Sequence, residues 1–401
     1  MKMSMIFVYL RFMKKLFVLI LSFTCVLPYL QAKDVIVGAA RLDQYLPLIK
    51  GKSVGLIVNQ TSTVGDTHLL DTLITLGIHV QSVFAPEHGF RGTADAGEHV
   101  KNGIDPKTNV AIVSLYGDNK KPKPEQLNTI DILIFDIQDV GVRFYTYIST
   151  LQYVMEACAE LQKELIVLDR PNPNGHYVDG PVLDTAERSF VGMQPIPVVY
   201  GMTMGEYANM LNGEKWLENK VQCTLTVIPC LNYDHKTFYT LPIKPSPNLP
   251  NMTAIYLYPS LCFFEGSNSV SVGRGTDKPF QIYGSPQFAK ALFSFTPVSK
   301  PGASKPFLQD QACFGFDLSE IHPDTLRKQK FTIKYLLKAY ALVTDKKNFF
   351  NSFFLKLSGK KILREQIEKG MGEKAIRKTW QPQLSSFKKI RKKYLLYKDF
   401  E

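Results

Sequence analysis

Val54-Gly-Leu-Ile-Val-Asn59-Gln60-Thr61 is an apolar run of strand length that stops abruptly in a polar cluster, and it decides the fold because the pattern recurs. It returns at His79-Val-Gln-Ser-Val-Phe-Ala-Pro-Glu87, at Ile130-Asp-Ile-Leu-Ile-Phe-Asp136-Ile-Gln138-Asp139, and at Glu164-Leu-Ile-Val-Leu-Asp169-Arg170-Pro-Asn172. Between these runs, residues 68–77 show helical apolar spacing closed by Gly77, and residues 147–162 read as a longer amphipathic helix. Strands alternating with helices predict an α/β fold with a parallel sheet, Rossmann-like in architecture. In open parallel sheets ligands bind beyond the carboxyl ends of the strands, which is where all four polar clusters fall.

After Pro171-Asn-Pro-Asn-Gly175 the texture changes to Pro, Gly and Tyr. Short strands are expected at residues 223–228 and 253–258, and helices at 204–216, 331–342, 361–369 and 384–397. The expected organisation is a leader at residues 1–32, a Rossmann-like catalytic domain at 33–180 and an α+β domain at 181–401, with the active-site cleft between the two domains. No internal repeat or low-complexity stretch is present.

The leader is read from Lys14-Lys15, the apolar run from Leu16 to Leu27, and the polar exit at Gln31-Ala32-Lys33. That is the order of a secretory signal peptide, and roughly a dozen apolar residues are too few to span a bilayer. Met13 would itself make an ordinary signal start, so the first twelve residues read as coming from an upstream start codon. Thr24 is a poor residue to precede an acylated cysteine, which argues against a lipoprotein anchor at Cys25. The expected location is therefore periplasmic or secreted, with no membrane span after cleavage.

Of six cysteines, five follow the leader, and their spacing matches no zinc or redox motif. Buried free thiols are expected, although an oxidising compartment would permit a bridge such as Cys223 to Cys230. The net charge of +12 is concentrated at the end of the chain, where residues 328–401 hold 20 basic and 6 acidic side chains. Such a face suits an anionic polymer or membrane surface, or is simply solvated. No basic groove with interleaved aromatics suggests nucleic acid.

Chemistry is expected first at Glu87-His88-Gly-Phe-Arg91-Gly. A carboxyl half-buried beside Pro86 and Phe90 would have a raised pKa and could serve as a general acid. A turn salt-bridged between Glu87 and Arg91 is the plainer reading. Glu98 follows in a Gly/Ala-rich loop as a second acid. The next cluster joins Asp136, Gln138 and Asp139 to Arg143, Tyr145 and Tyr147, offering carboxylates, donors and the stacking faces that sugar rings use. Asp139 could equally cap a helix. Asn59 and Gln60 end the first strand, and Arg170 and Asn172 sit in a proline-stiffened turn that presents donors and acceptors at little entropic cost. A last cluster holds Glu265, Asn268, Arg274 and Asp277 among glycines that lack the dinucleotide fingerprint. Pro245-Ser-Pro-Asn248 reads as a rigid piece of cleft wall. The absence of Gly-x-Ser-x-Gly, P-loop and His-Glu-x-x-His patterns removes support for triad hydrolysis, phosphoryl transfer and zincin chemistry. No metal or cofactor is expected.

Gly55-Leu-Ile-Val-Asn-Gln-Thr, Pro86-Glu-His-Gly-Phe-Arg-Gly, Phe135-Asp-Ile-Gln-Asp-Val-Gly-Val-Arg-Phe-Tyr-Thr-Tyr, Asp169-Arg-Pro-Asn-Pro, Val272-Gly-Arg-Gly-Thr and Trp380-Gln-Pro-Gln-Leu together resemble the exo-β-N-acetylmuramidases of the NamZ type, across essentially the whole mature chain. The resemblance implies removal of terminal, non-reducing β-N-acetylmuramic acid from peptidoglycan fragments during cell-wall turnover and recycling. Such cleavage needs a protonated carboxyl and a second group. Glu87 is the expected acid. The second role falls to Asp139 or Glu98, or to the substrate's own 2-acetamido oxygen oriented by such a carboxylate. The lactyl carboxylate of muramic acid calls for an arginine, with Arg91, Arg143, Arg170 and Arg274 as candidates. A secreted peptidoglycan-binding protein without turnover is the alternative, and a nucleotide-sugar or dinucleotide enzyme is a weaker third.

Overall fold

β1 (Val54–Val58) is buried at every residue, as a strand at the centre of a sheet covered on both faces must be. Its alternate side chains enter different cores, Ile57 on one face and Val54, Leu56 and Val58 on the other. The computed structural model describes residues 33–87, 89–90 and 102–401. The leader, His88, Arg91 and Glu98 lie outside these residues. Among the described residues, no helix is long and apolar enough to cross a membrane.

Helices α1 (Leu42–Ile49) and α2 (Leu69–Thr75) cover one face through Tyr45, Ile49, Leu69, Leu70 and Leu73. The pair β2 (Thr63–Val64) and β3 (Thr67–His68) leads into α2, whose first turn is capped by the His68 ring accepting from the Leu70 amide. The chain then runs through β4 (Val80–Ala85), β5 (Gly103–Ile104), β6 (Ala111–Ser114), α3 (Pro124–Leu127), β7 (Ile132–Asp136), α4 (Tyr147–Glu160) and β8 (Glu164–Leu168). After α5 (Met204–Gly213) comes β9 (Thr224–Ile228). The seven strands lie in the order β5-β6-β4-β1-β7-β8-β9. All neighbours are parallel except β5, which pairs antiparallel with β6 at the edge. Leaving that edge strand aside, this is the doubly wound 3-2-1-4-5-6 order of a Rossmann sheet. The four sequence-read strands are thus β1, β4, β7 and β8. β9, read as a strand of the second domain, instead extends this sheet beyond residue 180.

Residues 253–258, expected as a strand, form part of helix α6 (Met252–Leu261). The Asn251 side chain caps it by accepting from the Ala254 amide. Every residue of α6 is buried, so the polar face that marks a surface helix is missing, and an apolar run of this kind looks the same as a buried strand. Beyond it, β10 (Ile282–Ser285), β11 (Phe293–Phe295) and β12 (Cys313–Asp317) form a small antiparallel sheet with β12 central. The helices α7 (Pro323–Gln329), α8 (Lys334–Leu342), α9 (Phe353–Ser358), α10 (Lys361–Glu368) and α11 (Glu373–Arg391) complete the fold. α11 starts well before the expected residue 384 and carries Pro382 within it. Trp380, Leu384 and Phe387 of α11 join the same core cluster as Ile57 and Phe135 of the large sheet, so Ile36–Glu401 form one unit.

The five cysteines described are free and buried. Cys223 and Cys230 flank β9 at its two ends, and an extended strand of that length separates them by roughly 20 Å, too far for a disulfide.

Arg143 ties distant segments together. It is fully buried and donates from Nη1 to the carbonyls of Pro181 and Ile196, and from Nη2 to those of Leu357 and Ser358, all at 2.7–3.0 Å. Among the described residues no carboxylate meets it. Burial pushes its pKa down to about 9, which still leaves it charged at neutral pH. Arg143→Met keeps most of the volume but removes a donor from each of four buried carbonyls, among which Ile196 keeps a second in the Leu183 amide. It should cost about 3 kcal/mol or more, read as a lower urea midpoint at unchanged m-value.

Candidate active site

The carboxyl edge of the sheet carries two kinds of polar residue, those that close the edge and those that line an adjoining cavity. Asp136, ending β7, takes a bidentate pair from Arg170, Nε to Oδ1 at 2.6 Å and Nη2 to Oδ2 at 2.9 Å. Arg170 Nη2 also donates to the Thr63 carbonyl. Both side chains are buried. Ser62 Oγ donates to the Asp136 carbonyl, and the Gln138 amide donates to Thr61 Oγ1. The Gln138 side chain bonds the carbonyls of Asp139 and Pro171. Asn172 Nδ2 reaches the Met202 carbonyl while its Oδ1 accepts from the Asn174 amide. These bonds fill the crevice between β1 and β7, where a sheet of this order takes a dinucleotide. Asp136, Gln138, Asn172 and Arg170, expected as binding residues, are placed inside the protein by them.

The cavity lies beside that closed edge. It measures ≈ 760 Å³, within the range of small-molecule sites. Glu87, just past the end of β4, reaches it half-buried. Tyr116 donates its hydroxyl to Glu87 Oε1 at 3.1 Å and Thr146 donates to Oε2 at 3.0 Å, so the carboxyl plane is fixed from both sides. Tyr145 and Tyr147 line the wall beneath it, packed edge to face with centroids 4.9 Å apart. Their hydroxyls are committed inward: Tyr145 donates to the Pro245 carbonyl, and Tyr147 accepts from Asn59 Nδ2. Burial raises both phenols well above the usual value, so they stay neutral. Gln60 bonds the carbonyls of Lys244 and Pro245. The stretch expected as cleft wall indeed supplies Ser246 and Asn248 to the lining.

The opposite wall comes from the second half of the chain. Glu265 and Arg274 line it as an ion pair, Nε to Oε1 at 2.5 Å. Asn268 bonds the Asn348 carbonyl at the surface, and Asp277 pairs with Lys300 in solvent. Neither reaches the cavity. Sequence reasoning passed over several residues of the site, of which Tyr116 bonds Glu87 without lining the cavity. Thr146 stood within a quoted motif, Tyr116 carried no motif at all, and the loop Gly302-Ala-Ser-Lys-Pro-Phe307 has no periodicity or charge pattern to announce it. Among the described residues no group of three His, Cys, Asp or Glu side chains could hold a metal.

A doubly wound α/β chain with an acid-bearing, aromatic-walled cavity at the carboxyl edge of its sheet is built as an enzyme for a small polar substrate. Comparison with known proteins specifies the class further. The family profile described as Exo-beta-N-acetylmuramidase NamZ, N-terminal, matches residues 54–253, and its C-terminal counterpart matches residues 256–397. The Peptidoglycan beta-N-acetylmuramidase NamZ of Bacillus subtilis (strain 168) is 38% identical over 384 residues, 89% of each chain. A crystal structure of a DUF1343 family protein from Bacteroides fragilis NCTC 9343 is 48% identical with a TM-score of 0.86, covering 92% of this chain and 100% of that one. A second DUF1343 protein from the same organism is 29% identical with a TM-score of 0.78, covering 91% and 99%. The chain belongs to the exo-β-N-acetylmuramidase NamZ family and is a glycosidase.

Asp139 sits behind the cavity and does not line it. Its Oδ2 accepts from the Gly141 amide and from the Tyr200 hydroxyl, both at 2.6 Å, while Oδ1 has no hydrogen-bond partner among the described residues. Burial pushes its pKa up to about 7 despite those two donors. Asp169, buried against Thr203 and Tyr397, is pushed up to about 6 in the same way. A carboxyl whose pKa rises on folding stabilises the protonated native state. That contribution is present in full below about pH 4 and is lost as the pH climbs through the folded value. Asp139→Asn removes it at one site. Between pH 4.5 and 8 the variant should lose less stability than the parent, by on the order of 1–3 kcal/mol. Urea unfolding at a series of pH values measures this, and parallel curves would refute it.

Proposed function

We propose that this glycosidase releases terminal, non-reducing β-linked N-acetylmuramic acid from peptidoglycan fragments. By the leader at residues 1–32, it works outside the cytoplasm, in cell-wall turnover and recycling. The observation that carries the reading is Glu87, a carboxyl at a strand tip, oriented by two hydroxyls on a sugar-sized cavity in a chain of the NamZ family. The name of the Bacillus relative supports the substrate.

In this reading Glu87 holds a proton when substrate binds and gives it to the glycosidic oxygen as the bond to the anomeric carbon breaks. Positive charge then develops on the ring. Glu265 is the other carboxylate on the cavity among the described residues, and it is engaged by Arg274. The second role therefore falls to the substrate's 2-acetamido oxygen or to Glu98. Water completes the reaction at the anomeric carbon, with Glu87 now accepting the proton. Asp139 acts through position, fixing the Gly141 turn that leads into the Phe144–Tyr147 wall.

Glu87→Gln should lower release of a chromogenic β-N-acetylmuramide by at least about 100-fold while the melting temperature stays near that of the parent. Near-parental turnover would sink the acid assignment. Free muramic acid from a β-linked muramoyl disaccharide separates this reading from a binding protein, which releases none.

A further inference from the structure

The substrate proposed above carries a lactyl carboxylate, and the described arginines divide sharply in what they can offer it. Arg143 spends both Nη groups on four main-chain carbonyls within the core. Arg170 is closed onto Asp136 and Thr63. Arg274 is the arginine that lines the cavity. Its Nε donates to Glu265 and its guanidinium carbon stands 4.9 Å from the centroid of the Phe280 ring. Its Nη1 and Nη2 make no hydrogen bond to any described residue.

We propose that Arg274 binds the free carboxylate of the substrate through its Nη1–Nη2 end, held in place by Glu265 and Phe280. This rests on the function proposed above. An arginine pinned at Nε and stacked on a ring has lost most of its rotamer freedom before the ligand arrives, so the two remaining donors meet a carboxylate at little entropic cost. The backbone is fixed as well. Gly273 and Gly275 on either side both take φ of +78°, a conformation that side-chain-bearing residues rarely adopt. An incoming carboxylate would also feel Glu265, and a second cation offsets that repulsion. Lys305 lines the same cavity, exposed, with no ion-pair partner among the described residues. A sugar without the carboxylate would leave the Arg274 fork desolvated and unpaired, which is how such a site rejects it.

The test compares a chromogenic β-N-acetylmuramide bearing the lactyl acid with the same compound bearing the lactyl carboxamide, on the parent, Arg274→Ala and Arg274→Lys. The parent should favour the acid in kcat/KM by roughly 100-fold. Arg274→Ala should lose that preference, its acid-to-amide ratio of kcat/KM falling to within about threefold of unity, and Arg274→Lys should keep part of it. An equal fall on both compounds, or an undiminished preference, would overturn the proposal. If the parent cleaves neither compound, the reading of function fails instead. Calorimetry with N-acetylmuramic acid and its carboxamide then decides the role of Arg274, which stands if Arg274→Ala weakens only binding of the acid and falls otherwise.

Discussion

A single guanidinium without an ionic partner fixes the geometry on which the site depends. Arg143 holds carbonyls from residues 181, 196, 357 and 358, three stretches of chain that are also joined by the main-chain bonds Leu183 to Ile196 and Asp184 to Gly359. It does so from the residue immediately before Phe144-Tyr145-Thr146-Tyr147, the segment that walls the cavity, to which Arg143 itself does not belong, and that delivers Thr146 to Glu87. Gly359, at φ +65°, is where the backbone comes close enough for the Leu357 and Ser358 carbonyls to converge on Nη2. A buried cation answered by carbonyl dipoles alone costs desolvation. What it supplies is directional, because five planar donors admit few arrangements of the four oxygens around them.

The same constraint explains why a Rossmann-ordered sheet serves a sugar. The crevice between β1 and β7 is filled by Ser62, Thr61, Gln138 and the Asp136–Arg170 pair, so the switch point has become a rigid corner. The cavity is displaced toward the tip of β4 and completed by the Cys262–Gly266 turn and the Gly273-Arg-Gly275 loop. The substrate consequently meets two walls of different origin, one carrying the carboxyl held by hydroxyls and one carrying the carboxylate paired to arginine.

The sheet was legible in the sequence because β1, β4, β7 and β8 are predominantly apolar and run into polar residues at or just past their ends, a recurrence that points to a parallel sheet. The helix α6 was not, since burial on all sides removes the periodicity that separates a helix from a strand. At the site, the motif positions were found but their destinations were not. Arg143, Arg170, Asp136, Gln138 and Asn172 have the composition of a binding surface, yet each bonds to main chain or to another of them. Polar residues concentrate at strand tips both to hold the tips together and to meet a ligand, and residue type alone does not distinguish the two. What separates them is whether the partner atoms lie within the chain. Long-range pairing such as Arg143 with Leu357 is invisible to local spacing, as are Tyr116 and the loop at residues 302–307.

The two carboxyls on the cavity show how environment divides labour between like groups. Glu265 faces a guanidinium 2.5 Å away, a partner that can only donate hydrogen bonds and never accept one. Glu87 is met by neutral hydroxyls from Tyr116 and Thr146, which can each rotate to donate or to accept. A group that must give a proton at one step and take one at the next is served by neighbours of the second kind, because each can turn to donate or to accept as the carboxyl changes. The hydroxyls of Tyr116 and Thr146 thus fit both halves of an acid–base cycle at Glu87. Glu265, bonded to the Arg274 Nε, is suited instead to holding that guanidinium in place.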